Sequence, residues 1–288
     1  MAPLLCLGLL ASLWLPACSG SNDVHWTYSG ENGVDHWATL FPTCKGQSQS
    51  PVNISTAQTK KDKKLTPFKL INFDQVNDIE WSLQNNGHSA QVTFGGKKDL
   101  FVKGGGLGAG SKYKVAQFHF HWGSNDSVGS EHTVDDHRYP MEMHIVTYNT
   151  KYGDMGNATQ FKDGLAVLGA FFEVDTANND NFDGLICALG NVQMPGNITQ
   201  VNPVQLKSLM PETDKFFRYS GSLTTPPCSE VVIWTLFKRP VPISSSQLAV
   251  FRALKTETEN GVFEPLVDNF RPVQPLNERQ ITQTTEED

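Results

Sequence analysis

Gln117, His119 and His121 alternate with Phe118, Phe120 and Trp122 in the stretch QFHFHW. On an extended strand, residues two apart share a face. The aromatic set would then enter a core, and the imidazoles would line something on the opposite side. A lone H-x-H is ordinary in a polar strand, but a third histidine changes the reading. His144 lies in MEMHIVTYN, another short apolar segment, and turn residues fill the connection between the two. If the segments pair antiparallel, His144 faces His119 and His121. Three imidazoles suit zinc and leave the fourth tetrahedral position to water. Three neutral ligands also leave the full 2+ charge on the metal, which acidifies that water.

The elements that must position these rings read as strands. AQVTFG, DLFVKG, KVAQFHFHW, MEMHIVTYN, GLAVLGAFFEV, FFRYSGSLT and EVVIWTLF are short, β-rich and separated by Gly, Asn, Asp and Pro turns. Helical periodicity is best in FDGLICALGNV and SSSQLAVFRALKT, the second with Ser244 to Ser246 as N-caps. The expected fold is mainly β: a single domain on a large twisted, mostly antiparallel central sheet with short peripheral helices.

Composition narrows the function. The 288 residues carry 39% hydrophobic residues, enough for a large core, and 18% charged residues. A net charge of -7 argues against a nucleic-acid partner and against an anionic membrane surface. The basic cluster KKDKK, Lys60 to Lys64, reads as a solvated loop. Leu4 to Leu15 form an apolar run too short to span a bilayer, followed by the small residues Ala17, Ser19 and Gly20. Residues 1–20 therefore read as a secretory signal peptide, although a basic n-region is missing. A buried N-terminal helix and a lipoprotein site at Cys18 are the alternatives. No second apolar run follows at the C-terminus, so no membrane anchor is expected and the protein should be secreted and extracellular.

Cys6 and Cys18 belong to the leader region, which leaves Cys44, Cys187 and Cys228 in the body. An oxidising compartment favours one bridge among the three. Cys187 reads as a buried free thiol, and Cys44 and Cys228 lie in turn-rich stretches. Asn53, Asn125, Asn157 and Asn197 head N-x-S/T sequons, with Asn53 the poorest glycan acceptor because it reads as part of a strand.

With these residues in view, the chain resembles the α-class carbonic anhydrases from His25 to about Ile281. The likeness is carried by HWTYSGENG, QSQSPVNI, NNGHSAQVTF, QFHFHWGS, SEHTVDDHRYPMEMHIV, GLAVLG, SGSLTTPPCSEVVIWT and NFRPVQPL, in that order. It implies a catalytic domain over 21–281 with a polar tail at 282–288. It implies zinc on His119, His121 and His144, with Gln117, Glu142 and the Asn269 carbonyl holding those rings in turn. The reaction implied is reversible hydration of CO2 to bicarbonate and a proton, by attack of zinc-bound hydroxide. Thr224 would orient the hydroxide and pass its own proton to an ionised Glu131, while Thr225 would line the bicarbonate position. Val146, Val167, Leu223, Val232 and Trp234 would form the apolar CO2 wall. The same likeness pairs Cys44 with Cys228.

His88 matches the family's proton shuttle, with Tyr28, Asn86 and Gln91 along the water path. Losing a proton from a group of pKa about 7 directly to water is uphill by roughly 9 units, about 12 kcal/mol. That would cap turnover near roughly 10⁴ per second, whereas carbonic anhydrase is established to reach about 10⁶. A histidine within reach closes such a gap. His25, His36, His132 and His137 read as structural or exposed, with His132 bracing its loop. Gln91, where relatives often carry Asn, Val34 in place of a frequent Pro, and Asp136 in place of a frequent Gly depart from the pattern. A non-catalytic binding module on this scaffold, or a zinc esterase, are the rival readings. Keeping all three ligand histidines argues against the first, and the small valines of the wall argue against the second.

Overall fold

The computed structural model describes residues 25–285. The expected leader, including Cys6 and Cys18, lies outside the described residues. A 13-stranded sheet dominates. Its strands are β1 (Lys60–Lys61), β2 (Phe68–Ile71), β3 (Ile79–Asn85), β4 (Ala90–Gly96), β5 (Phe101–Gly104), β6 (Tyr113–Trp122) and β7 (Met141–Asn149). They continue as β8 (Leu165–Asp175), β9 (Ile198–Val201), β10 (Phe216–Gly221), β11 (Val232–Phe237), β12 (Val241–Ser244) and β13 (Thr282–Gln283). Along the main path the order is β9-β3-β4-β6-β7-β8-β11-β10-β13-β1, with β12 beside β8, and β2 joined to β6 through β5. Pairing is antiparallel except at β8–β11, β8–β12 and β13–β1. The mainly β, mostly antiparallel expectation therefore holds.

The centre of the sheet is buried on both faces. Phe118, Phe120 and Trp122 of β6 and Met141, Met143 and Ile145 of β7 enter the larger apolar cluster. The alternate residues Glu142, His144 and Val146 are also buried, beside a second cluster holding Val146, Val167, Val232 and Trp234. A polar side chain is stable in such a place only when its hydrogen bonds are made.

The two helices form where their periodicity placed them: α1 (Asp183–Leu189) and α2 (Ser245–Arg252). Ser244 caps α2 in a capping box with Gln247. Among the described residues no helix is long and apolar enough to cross a membrane.

Two expectations are corrected. Cys187 is exposed, because α1 turns Leu185, Ala188 and Leu189 inward and leaves position 187 on the outer side. Residues 282 and 283 do not form a free tail. They pair with Arg218 and Phe217 of β10 on one side and with β1 on the other, and Thr284 is buried, so the sheet runs past Ile281.

Cys44 and Cys228 are bridged across a sequence separation of 184 residues, and they pack with Trp37 beside Trp26, Tyr28 and Val34. The bridge ties the N-terminal segment to the turn that carries Thr224 and Thr225. Replacing both cysteines by serine is expected to cost roughly 2–5 kcal/mol and lower the melting midpoint by roughly 5–15 °C. Scanning calorimetry reads this directly, and an unchanged midpoint would refute it.

Candidate metal centre

Strand register brings the three histidines together. In the β6–β7 ladder His144 stands opposite His119, and Glu142 opposite His121. His119 Nδ1–H donates to Gln117 Oε1 at 2.8 Å, and His121 Nδ1–H donates to the Asn269 carbonyl at 2.7 Å. His144 Nε2–H donates to Glu142 Oε1 at 2.7 Å. Each ring thus spends one nitrogen on its support. The other three, Nε2 of His119, Nε2 of His121 and Nδ1 of His144, face one another.

The two Nε2 atoms are 3.1 Å apart, and all three ligand atoms lie within 4.8 Å of one another. Lone pairs set that close repel unless a cation lies among them, so the donor set fits a tetrahedral metal with nitrogen preference. Burial, with the neighbouring imidazoles, holds His119 well below the usual histidine range, and His121 is lowered chiefly by burial. Both therefore present the unprotonated nitrogen that a metal requires.

Glu142 is the hub of this support. Its Oε1 accepts from His144 and from His132 Nδ1, and its Oε2 accepts from the backbone N–H groups of Glu131 and His132. Burial alone would raise this carboxyl, but His132 and His144 outweigh burial and hold it well below the usual carboxylate range. His132 in turn pairs through Nε2 with the Tyr219 hydroxyl at 2.6 Å, which confirms it as a bracing residue. His132, Glu142 and His144 also converge closely enough to hold a metal. Their nitrogens and oxygens, however, are already joined in pairwise hydrogen bonds, so a second ion is not needed to explain them.

Gly169 faces His144 from β8, and a Cβ there would meet Leu236 at 2.5 Å and Glu142 Oε1 at 3.4 Å. Sequence reasoning missed this residue, although a glycine inside an apolar strand is the signal for such a close approach. Arg271 was also missed. Its backbone N–H donates to Glu131 Oε1 at 2.9 Å, and its guanidinium binds Gln49 Oε1 and the Ser50 and Cys44 carbonyls. Asn269 does more than its carbonyl role: its side chain accepts from Trp122 N–H and donates to the His88 carbonyl.

No hydrogen bond joins Glu131 and Thr224 among those described. Both are buried, but Glu131 Oε2 has no hydrogen-bond partner among the described residues. Its Oε2 lies 3.5 Å from His121 Nε2 and 3.9 Å from His144 Nδ1. An orphaned buried oxygen aimed at three converging nitrogens is a further sign that the centre takes a cation or its solvent.

The expected apolar wall assembles by register. Val146 pairs with Val167 and Val167 with Trp234, while Val232 pairs with Leu165. The Trp234 ring lies 4.8 Å from His144, and Leu223 packs partly buried against the same cluster. Thr225 is half-buried.

The expected proton path is only partly joined. His88 stacks on Trp26, with ring centroids 3.7 Å apart and planes at 12°. Burial, then His25, pulls its pKa down to about 4. Asn86 is exposed, and its Oδ1 is occupied by the N–H groups of His88 and Ser89. Gln91 stands opposite His119 in the β4–β6 ladder. Tyr28 and His88 line one cavity of about 400 Å³, and burial together with Glu131 pushes the Tyr28 phenol well above its usual value. Asp136, the departure from glycine, sits at φ 63°, and its carboxylate accepts from Asn53 Nδ2 at 2.6 Å. Asn and Asp tolerate that backbone region better than most residues. The same contact occupies Asn53, whereas Asn125, Asn157 and Asn197 are exposed.

A sequence profile of the eukaryotic-type carbonic anhydrase family matches residues 32–285. The chain belongs to this family, whose members are zinc-dependent lyases acting on CO2 and bicarbonate. Carbonic anhydrase 3 of Homo sapiens is 38% identical over 256 residues, covering 89% of this chain and 96% of the relative. Carbonic anhydrase 3 of Bos taurus is 38% identical over 257 residues, with the same coverage, and that of Mus musculus is 38% identical over 256.

Proposed function

We propose that this chain hydrates CO2 reversibly at a zinc ion held by His119, His121 and His144. The observation that carries this reading is the convergence of three nitrogens whose opposite ring nitrogens are all engaged. Zinc bound there supplies the Lewis acidity that makes solvent nucleophilic near neutral pH. Gln117, the Asn269 carbonyl and Glu142 fix the tautomers that keep the inner nitrogens free. Glu131 Oε2 is available to accept the Thr224 hydroxyl hydrogen, which leaves that hydroxyl an acceptor toward the nucleophile. Val146, Val167, Leu223, Val232 and Trp234 give CO2 a wall that does not compete by hydrogen bonding, and Thr225 borders the bicarbonate position. CO2 hydration measured before and after chelation, then after zinc is restored, tests the reading. Hydration that survives complete removal of zinc would overturn it.

His88 takes the released proton, with Tyr28, Asn86 and Gln91 as the polar surroundings of its route. Stacked on Trp26, at a pKa of about 4, the ring is a poor acceptor near neutral pH. Turned off that face into solvent, it returns toward the ordinary histidine value, where a shuttle works best. His88→Ala is expected to lower kcat by roughly 10²-fold in dilute buffer while kcat/KM changes little. Added imidazole should restore most of the loss. Stopped-flow hydration assays at two buffer concentrations check this, and an unchanged kcat would remove His88 from the path.

The chain is further proposed to be secreted, with residues 1–20 cleaved as its leader. The Cys44–Cys228 bridge and the exposed sequons at Asn125, Asn157 and Asn197 support that compartment. N-terminal sequencing and mass analysis of protein recovered from culture medium test it.

A further inference from the structure

On β10, Tyr219 points to the metal side, where its hydroxyl meets His132. Arg218, the residue before it, points to the opposite face. Arg218 is 8% exposed and has no carboxylate partner among the described ion pairs. Its Nε and Nη2 donate to Thr235 Oγ1, and Nη2 also donates to the Gly105 carbonyl. Nη1 makes no described hydrogen bond. It lies 3.3 Å from where a Cβ of Gly106 would stand, under a glycine-rich loop. A buried guanidinium without a counterion is costly, and burial lowers this one to about 10 despite the attraction of Asp62.

The loop above it is KGGGLGAGS, Lys103 to Ser111. Gly104, Gly105, Gly106, Gly108 and Gly110 all have positive φ. The N–H groups of Gly106, Gly108 and Gly110 have no backbone acceptor among the described bonds. A hollow of about 450 Å³ opens here, and Lys64, Thr66, Lys69, Lys103 and Ser111 border it, with no acidic side chain in its wall. Lys69 of β2 and Lys103 of β5 stand directly opposite each other in their ladder. Like charges so placed are destabilising. The lysine ion pairs described are those of Lys98, Lys114 and Lys151, so Lys64, Lys69 and Lys103 have no carboxylate partner among the described residues.

Three lysines and free backbone N–H groups around one hollow, with Arg218 beneath its loop, on a chain of net charge -7, call for an anion of high charge density. We propose that this hollow, on the face of the sheet opposite the metal centre, binds a diphosphate group. The group is either free pyrophosphate or the diphosphate end of a nucleotide. The glycine N–H groups form the floor, with Arg218 Nη1 beneath the loop at Gly106, and Lys64, Lys69 and Lys103 close over the outer oxygens. The site would give the KKDKK segment and the glycine loop a use that CO2 hydration does not.

The test follows backbone amide shifts of the zinc-loaded full chain during titration with pyrophosphate, with ADP, and with sodium chloride at matched ionic strength. Saturable shifts at Gly104 to Ser111 with pyrophosphate or ADP, and not with chloride, are expected. Tighter binding of ADP than of pyrophosphate would identify the nucleotide as the source, and the reverse would identify the free ion. The surface variant Lys69→Glu/Lys103→Glu should weaken binding roughly tenfold or more. Arg218→Met, which removes the cation beneath the loop, should also weaken binding if it folds, and the lysine variant decides the matter if it does not. No saturable shift at millimolar pyrophosphate or ADP, shifts matched by chloride, or full affinity in the lysine variant would each overturn the proposal.

Discussion

His144→Asn is expected to abolish CO2 hydration, with a fall of roughly 10³-fold or more in kcat/KM. The substitution keeps a polar side chain on β7 but removes the ring that spans from Glu142 Oε1 to the inner nitrogens, a span the shorter asparagine cannot bridge. Two nitrogens 3.1 Å apart, His119 Nε2 and His121 Nε2, then remain without the third donor. Zinc retention should fall with activity, and metal analysis after dialysis reads it separately from the rate. The fold should persist, since the larger cluster of Phe118, Phe120 and Trp122 lies on the other side of the sheet. Full zinc content with no activity would place the role of His144 in the chemistry instead of in metal binding. Full activity would exclude the site.

Much of this centre was legible before any coordinates, and the reason is strand geometry. A period of two fixes that Gln117, His119 and His121 share a face, and the same rule puts Glu142, His144 and Val146 together. Only the register between β6 and β7 was missing, and the requirement that three imidazoles converge supplies it. Contacts made by long connections were not legible in this way. Arg271 reaches Glu131, Gln49 and Cys44, which are far from it in sequence, and no local periodicity encodes such a contact. The stacking of His88 on Trp26 joins two loop residues and was hidden for the same reason. At Cys187 an apolar helical context suggested burial, but a helix of seven residues buries only one stripe, and position 187 falls outside it. The strand at Thr282–Gln283 was masked by composition. TQTTEED reads as polar chain, yet the backbone groups of Thr282 and Gln283 complete an edge that β10 would otherwise leave open.

Glu142→Gln is expected to be nearly as damaging to stability as His144→Asn is to activity, although the two side chains have almost the same shape. Both oxygens of Glu142 are doubly occupied as acceptors, by two imidazole N–H groups and by two backbone N–H groups. A glutamine must place an NH2 group at one of these positions, where it meets donors only. Flipping the amide moves the conflict from one pair of donors to the other and does not relieve it. His132 and the Glu131–His132 backbone are fully buried, so water cannot compensate. Leaving four buried donors without their charged acceptor costs roughly 3–5 kcal/mol, which lowers the melting midpoint by roughly 6–20 °C. Zinc affinity should fall about 10–100-fold as well, because His144 loses the acceptor that fixes its tautomer. The pH dependence distinguishes this from a packing defect. The folded carboxyl is held below the ordinary carboxylate range, so its contribution is complete above that range and disappears as pH falls through its lowered value. The gap in melting midpoint between the parent chain and Glu142→Gln should therefore narrow on acidification. A gap that stays constant from neutral pH into strong acid would assign the loss to altered packing and not to the missing charge.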